Sequence, residues 1–487
     1  MLKQDQNITT KIIANLFWKL MERGGTQGIQ LIVQIVLARL LLPEDYGIMA
    51  LVLVFIAIAN VFVQSGLNTA LIQKKDADEA DFSSVFYLNL FIAGLIYIIL
   101  FLIAPFIAAF YEEPELLLVF RVLSISLFFC AVNSLQEAVI ARRMQFKKLF
   151  LSSIGAILAS GTIGIYMAYM GFGVWALVGQ YISNQLLITV ILWFTVKWRP
   201  KLLFSTEKVR SLFSFGWKIL VASLIDTIYR NLRNLIVGKM YNAQMLGFYN
   251  RGEQFPALII TNINGSIQSV LFPVLASQQD NRLRVKELMR RSIVMSSFLI
   301  FPMMVGLAVT AEPLVKLLLT DKWLPCVPFL QIFCAGYALW PIHTANLQAI
   351  NALGRSGIFL KIEIVKKIVG LTILAVTMLF GIYAIAFGEV FFGIIATFIN
   401  AYPNKKLLNY NYIEQWNDIM PYLLLSLLMG AVIYLFKCVA FSPVTTVIIQ
   451  VSVGVIFYLS MARLLKLECF NYLTTLGRYW LSKSEGR

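Results

Sequence analysis

Charge is scarce in this chain. Of its 487 residues 14% are Asp, Glu, Lys or Arg, against roughly 25% in a soluble globular domain, while 59% are hydrophobic. Too little polar surface is available to coat a water-soluble fold, so most of the surface must face lipid. Alternating polarity is also missing: the stretch 51–63, LVLVFIAIANVFV, is apolar on both parities, which argues against a membrane β-barrel with its lipid-facing and lumen-facing alternation. Histidine is reduced to His343, and five cysteines (Cys130, Cys326, Cys334, Cys438, Cys469) stand apart without a CxxC pair. A metal centre or a disulfide framework therefore lacks ligands at workable spacing, and no metal is expected. No Gly-rich phosphate-binding loop is present. Lys3, Asp5 and Lys11 precede a long helix without a small-residue cleavage site, so the first helix is expected to stay in place.

What fills the sequence instead is a succession of apolar runs of about 20 residues, each long enough to cross a bilayer as a helix with its backbone satisfied internally. The expected fold is an all-α integral membrane protein. Apolar runs and turn-like breaks predict fourteen transmembrane helices, at 12–41, 44–71, 82–110, 115–141, 149–170, 173–196, 210–240, 245–275, 290–311, 325–351, 357–380, 382–403, 416–437 and 441–465. The net charge of +16 sits in short loops, where it reports topology and not a nucleic-acid surface. RRMQFKK (142–148), KWRPKLLFSTEKVR (197–210), RLRVKELMRR (282–291), the 355–367 stretch and Lys405-Lys406 fall on the side of the termini, whereas the other side holds little beyond Lys239, Lys316, Lys322 and Lys437. Both termini are expected in the cytoplasm. The net acidic KKDADEAD (74–81) fits that count least well. Outer loops such as YEEPE (111–115) are too short for a folded domain, which disfavours a membrane glycosyltransferase or polymerase.

The chain also repeats itself. Trp18-Lys19-Leu20 recurs as Trp217-Lys218-Ile219, VLARLLLPEDYG (36–47) aligns at an offset of 200 with IVGKMYNAQMLG (236–247), pairing Gly47 with Gly247, and SLQEAVIARR (134–143) resembles NLQAINALGR (346–355). These similarities divide the chain into a six-helix lobe at 1–205, a second at 206–406, and two extra helices with a cytoplasmic tail at 407–487. Six helices is an even number, so the lobes enter the membrane in the same direction, as a parallel repeat about an axis along the membrane normal.

Charged and amide groups inside the hydrocarbon are costly and point to a site. On the first helix Lys19, Arg23, Gln27, Gln30 and Gln34 are spaced by four, four, three and four, which places them on one face. On the eighth, Arg251, Gln254, Thr261, Gly265 and Gln268 share a face interrupted by Leu258. The seventh carries Asp226, Arg230, Arg233 and Asn234. Two readings compete for Asp226 and Arg230, which at i and i+4 either line a wet cavity or neutralise each other. Arg39 and Lys239 lie near helix ends, where long side chains reach water. Asp226, Glu389 and Glu137 are candidates for coupling a cation, with structural hydrogen bonding as the alternative; His343 reads as a packed residue. The basic excess of Lys19, Arg23, Arg230, Arg233 and Arg251 over Glu22, Asp226 and Glu253 suits an anion. Arginine forks donate bidentately to phosphate, and the amides of Gln27, Gln30, Gln34 and Gln254 both donate and accept, as sugar hydroxyls require.

With these residues in view, LARLLLPEDYGIMALVLVFIAIANVFVQSGLNTALIQKK (37–75) and GFYNRGEQFPALIITNINGSIQSVLFPVLASQQDNRLRVKE (247–287) resemble the polysaccharide transporters of the multidrug/oligosaccharidyl-lipid/polysaccharide exporter superfamily, in the branch of colanic-acid and teichuronic-acid exporters and O-antigen flippases. The resemblance implies a V-shaped pair of lobes working by alternating access in the bacterial cytoplasmic membrane, without enzymatic catalysis. The implied substrate is an undecaprenyl-pyrophosphate-linked oligosaccharide, with the polysaccharide polymerase machinery as a further partner, no cofactor, and an ion gradient or the membrane potential as energy source. By similarity to lipid II flippases it assigns Arg23 and Arg251 to the phosphate head and the two closing helices to the lipid tail. A multidrug or cation antiporter of the same superfamily is the alternative, and it would favour acidic residues in the cavity.

Overall fold

A computed structural model describes residues 24–64, 66–74, 76–436 and 442–470. Helices account for nearly all of it: α1 (24–40), then α2 (Pro43–Gln64), α3 (Leu67–Gln73), α4 (Glu79–Tyr111), α5 (Pro114–Leu123), α6 (Ser126–Arg143), α7 (Phe146–Tyr169), α8 (Val174–Thr195) and α9 (Thr206–Met240). After them come α10 (Ala243–Ala276), α11 (Arg282–Val309), α12 (Ala311–Leu319), α13 (Val327–Ala338), α14 (Trp340–Ala352), α15 (Ser356–Thr377), α16 (Ile382–Leu408), α17 (Tyr412–Leu435) and α18 (Pro443–Leu464). No strand occurs among the described residues. Twelve helical segments are long and apolar enough to cross a membrane, with mean hydropathy from 1.3 to 2.8 over their best windows. Adding α1 and α15, whose first twelve residues include Lys361, Glu363, Lys366 and Lys367, gives the fourteen long helices expected.

Helix ends fall where side chains can take over backbone hydrogen bonds. Asp78 with Asp81 forms a capping box for α4, and Asn411 with Glu414 forms another for α17; Ser205, Asn281 and Ser442 cap α9, α11 and α18. Three expected helices are broken, because apolar composition runs on through the break. The 44–71 helix divides at Gly66, whose φ of 65° is left-handed and which α9 crosses so closely that a Cβ would sit 2.3 Å from the Gly216 carbonyl oxygen. The 115–141 helix breaks at Ser124, whose hydroxyl donates back to the Phe120 carbonyl at 2.7 Å. The 325–351 helix is a 3-10 turn (Asp321–Cys326) followed by α13 and α14, the last starting where Pro341 has no N–H to give. The short α12 was not anticipated.

The chain divides into two compact units, Met1–Gly247 and Phe248–Arg487. In the first, α7 lies along α8 and α2 packs on α5, α6, α8 and α9. Because α9 closes on α2, α3 and α4, the packing boundary lies after α9, although the internal repeat begins before it. Within this unit the repeat shows itself in one contact. A Cβ on Gly47 would lie 1.7 Å from the Ala243 carbonyl oxygen, and one on Gly247 would lie 2.0 Å from the Pro43 carbonyl oxygen. Residues 43 and 243, like 47 and 247, are 200 apart, so the starts of α2 and α10 pack reciprocally. The acidic 74–81 segment is internal structure too. Lys74 pairs with Asp81 at 2.7 Å, Lys208 pairs with Asp78, and Ser83 and Ser84 accept from the Lys201 and Ser205 amides at 3.0 and 2.9 Å. The 197–205 connection is thereby strapped to the start of α4, and Lys208 holds the Asp78 carboxyl down at about 2.

In the second unit α11 packs on α13 and α17, and α16 on α13, α14 and α15. A buried amide triad joins α14, α16 and α17: Asn346 donates to Gln415 Oε1 at 2.7 Å, and Asn404 donates to Asn346 Oδ1 at 2.7 Å. Arg290 on α11 bridges Asp418 at 2.9 Å and Glu468 at 3.1 Å, while Tyr458 on α18 donates to the Phe298 carbonyl at 2.9 Å. The two closing helices are thus fastened to α11 by polar bonds as well as packing.

Gly47→Ala and Gly247→Ala should each lower stability by about 1–3 kcal/mol, because backbone must move to admit the methyl group; thermal unfolding of the purified protein reads this out. For the strap, the depressed Asp78 value means that its contribution is present above the ordinary carboxylate range, about 4, and is lost as pH falls through about 2. A spin label at Leu203 should gain mobility over that interval, and Lys208→Ala should be mobile already at neutral pH.

Candidate functional site

Gly252 lets α10 touch α13: a Cβ there would lie 2.6 Å from Phe329 Cβ and 2.9 Å from the Cys326 carbonyl oxygen. This approach brings Arg251 against the 3-10 turn. Its side chain is 4% exposed, its guanidinium lies 5.1 Å from the centroid of the buried Trp323 ring, and Nη1 donates to Gln254 Oε1 at 2.5 Å. Next to it, Glu253 accepts from the Tyr337 hydroxyl at 2.7 Å. The face expected on α10 therefore divides: Arg251 turns into the unit, whereas Thr261 and Gln268 are exposed and Gly265 is half-buried. Pro256 lies inside α10, which is helical throughout, and Arg251 and Gln268, 17 residues apart, point about 100° apart on a regular helix.

Further along, α10 and α13–α16 enclose a cavity of about 360 Å³. Its wall includes Gln268, Tyr337, Trp340, Gln348, Lys366 and Glu389. Thr344, also on the wall, donates to Asn264 Oδ1 at 2.6 Å. His343 is held between α14 and α16, with Asn400 Nδ2 3.0 Å from Nδ1 and Thr397 Oγ1 3.5 Å from Nε2. His343 is thus a packed residue between the two helices. Lys366 is paired with Glu363 at 2.6 Å.

The remaining candidates lie in the first unit or outside the described residues. Lys19, Arg23 and Glu22 fall outside them. Gln27, Gln30 and Gln34 are half-buried on α1, and the Gln27 Oε1 is buried without a hydrogen-bond partner among the described residues. On α9, Asp226 and Arg230 form the i,i+4 pair at 2.7 Å, with 43% and 77% of their side chains exposed. Arg233 is half-buried. Asn231 and Asn234 turn to α2 and α8, where with Asn60 and Tyr181 they line a cavity of about 390 Å³. Glu137 is exposed on α6. Arg39 is exposed, and Lys239 reaches Glu112 at 3.0 Å.

So the structure gathers Arg251 with Gln254, and Gln268 with Glu389, but does not join the two groups into one wall. Sequence reasoning missed Tyr337, Trp340, Thr344, Gln348 and Asn351. Their spacing of three, four, four and three is the same signal that marked the glutamines of the first helix; aromatic residues among them hid it. The Asn346–Asn404–Gln415 triad was missed for a different reason, since its members are far apart in sequence.

Residues 36–328, well over half of the chain, match the profile of the polysaccharide biosynthesis protein family. The chain belongs to that family. Relatives of this polysaccharide biosynthesis protein include the teichuronic acid biosynthesis protein TuaB of Bacillus subtilis (strain 168), 24% identical over 77% of this chain and 78% of that one. The succinoglycan biosynthesis transport protein ExoT of Rhizobium meliloti (strain 1021) is 23% identical over 71% and 70%, and the lipopolysaccharide biosynthesis protein WzxC of Escherichia coli (strain K12) is 24% identical over 74% of each. Among solved structures, the lipid II flippase MurJ in an inward closed conformation superposes with a TM-score of 0.74 at 14% identity, covering 92% of this chain and 99% of that one. An inward-facing multidrug resistance MATE transporter of the MOP superfamily gives 0.58 at 13% identity, covering 78% and 95%. The chain thus has the fold of these transporters and is a multi-pass membrane protein.

Arg251→Lys should lose about 1–2 kcal/mol of stability, because a single ammonium cannot both stack on Trp323 and donate to Gln254 in the guanidinium geometry. Thermal unfolding in detergent checks this, with Lys316→Ala as a control that should stay within about 0.5 kcal/mol.

Proposed function

We propose that this protein is a flippase for a lipid-linked oligosaccharide, carrying an undecaprenyl-pyrophosphate-linked repeat unit from the inner to the outer leaflet of the bacterial cytoplasmic membrane by alternating access, with both termini in the cytoplasm. The observation that carries the reading is the family match over 36–328, supported by relatives named for the biosynthesis or transport of three surface polysaccharides. The fold is common to MurJ and to drug transporters, so fold alone does not choose between a lipid-linked sugar and a drug; the family does.

In this reading the protein makes and breaks no bond. Arg23 and, once released from its buried contacts with Trp323 and Gln254, Arg251 bind the pyrophosphate, with Arg233 and Lys19 adding positive charge and Arg230 sharing its charge with Asp226. Charge-assisted hydrogen bonds to phosphate are the strong ones, and their strength grows where water is excluded. Gln27, Gln30, Gln34 and Gln254 meet sugar hydroxyls. The energy comes from an ion gradient or the membrane potential. Asp226, Glu389 and Glu137 are the carboxylates considered for coupling a cation, and of these Asp226 is already paired with Arg230. Newly exposed saccharide on the outer leaflet is the substrate of a polymerase, which makes that machinery the natural partner.

The test is a deletion strain complemented with wild type, Arg23→Ala or Arg251→Ala, measuring surface polysaccharide together with protein abundance. Deletion should abolish surface polysaccharide and trap lipid-linked saccharide at the inner face. Each single variant, at normal abundance, should lower export about ten- to a hundredfold, the loss of one charge-assisted contact of about 1.5–3 kcal/mol. Unchanged polysaccharide in the deletion strain contradicts the flippase reading, and unchanged export by both variants contradicts the cationic site.

A further inference from the structure

The cavity of α10 and α13–α16 is separate from the Arg251 cluster and carries a chemistry that the phosphate-binding role does not use. At about 360 Å³ it falls at the lower end of the range of small-molecule sites, roughly 300–1,000 Å³. Glu389 lines it, and Lys366, also on the wall, is paired with Glu363 at 2.6 Å; no group of three or more His, Cys, Asp or Glu among the described residues is placed to hold a metal. What it does offer is an aromatic wall and amides together. Trp340 stacks on Tyr337 with ring centroids 5.1 Å apart and planes 30° apart, yet keeps 37% of its surface exposed. Gln348, Asn351 and Gln268 share the lining.

We propose that this cavity binds one hexose ring of the transported saccharide, with an apolar C–H face of the sugar on the Trp340 indole and the hydroxyl rim on Gln348, Asn351 and Gln268. Sugar hydroxyls donate and accept, and carboxamides do both at one group; an indole presents a flat apolar face with negative potential to C–H groups. The platform is pre-organised, because Tyr337 behind Trp340 is tied to Glu253 at 2.7 Å and Thr344 to Asn264 at 2.6 Å, so little ordering cost falls on binding. This inference rests on the flippase reading and adds to it a subsite that recognises sugar within the second unit. A hexose with an uninterrupted C–H face is the expected class.

The test uses the full-length protein in lipid nanodiscs and saturation-transfer difference NMR with methyl α-glucoside and methyl α-galactoside as probes, at millimolar concentrations suited to weak sugar binding. Wild type should transfer saturation to the ring protons of at least one probe. Trp340→Ala and Gln348→Leu should each reduce that transfer several-fold, and Trp340→Phe should retain most of it. Gln348→Leu keeps the side-chain volume nearly constant, so it reads the site even where removal of the indole unfolds the unit, and thermal unfolding identifies that case. No transfer from wild type to either probe, or equal transfer from Gln348→Leu and wild type, overturns the proposal. So does loss of probe binding on adding sodium chloride at a potassium-matched ionic strength, which would mark the cavity as a cation site. Either failure leaves the flippase reading standing if the deletion strain still traps lipid-linked saccharide. Normal surface polysaccharide in that strain removes the flippase reading whether or not sugars bind.

Discussion

Hydrocarbon offers a hydrogen-bonding group no partner, and that constraint organises the whole chain. It forces the backbone into helices and then works on side chains. Hydroxyls inside the spans bond back to their own helix, as Ser183 does to Gly179 at 2.6 Å and Thr189 to Gln185 at 2.8 Å. Amides collect in groups such as Asn346, Asn404 and Gln415. Leaving one such group unpaired costs on the order of 1–3 kcal/mol, so the triad fastens α17 to α14 and α16 by more than apolar contact could, lipid being as apolar as the helices themselves. Polar side chains that remain directed at open space then gather around the cavities, because only there can they be wetted.

The same constraint explains what could be read from the residues alone. A helix that must cross lipid announces itself by length and hydropathy, so the long helices, the all-α class and most helix ends were legible; Asp78 and Asn411 mark starts by capping. Breaks within apolar runs were not, since Gly66 and Ser124 interrupt a helix without interrupting hydrophobicity. Periodicity showed that α10 carries a polar face but not that packing on the 3-10 turn takes Arg251 inward and leaves Gln268 out. The pairing of Gly47 with Gly247 was visible as an offset of 200, whereas its meaning, a reciprocal contact of helix starts too close for any side chain, needed coordinates. The acidic 74–81 segment looked anomalous as topology and becomes ordinary once Lys74 and Lys208 are seen to hold it.

Function divides along similar lines. Membership of the polysaccharide biosynthesis family supplies the class of substrate, and the shared transporter fold supplies a means of moving it. The residues add chemical detail: a buried arginine stacked on tryptophan and bonded to glutamine, and apart from it a cavity with amides and aromatics in its wall. A pyrophosphate and a saccharide are different chemical problems, one answered by fixed positive charge and the other by groups that both donate and accept. Two separate clusters are a physical expectation for a cargo with two such parts.

The most direct measurement is translocation itself, in proteoliposomes containing the purified chain and a fluorescent undecaprenyl-pyrophosphate oligosaccharide, with an impermeant quencher reporting how much label each leaflet holds. The account predicts that label equilibrates or concentrates across the bilayer only when the protein is present, and more slowly with Arg251→Ala. Label confined to its original leaflet with the wild-type protein, under an imposed sodium or proton gradient and membrane potential, would contradict it.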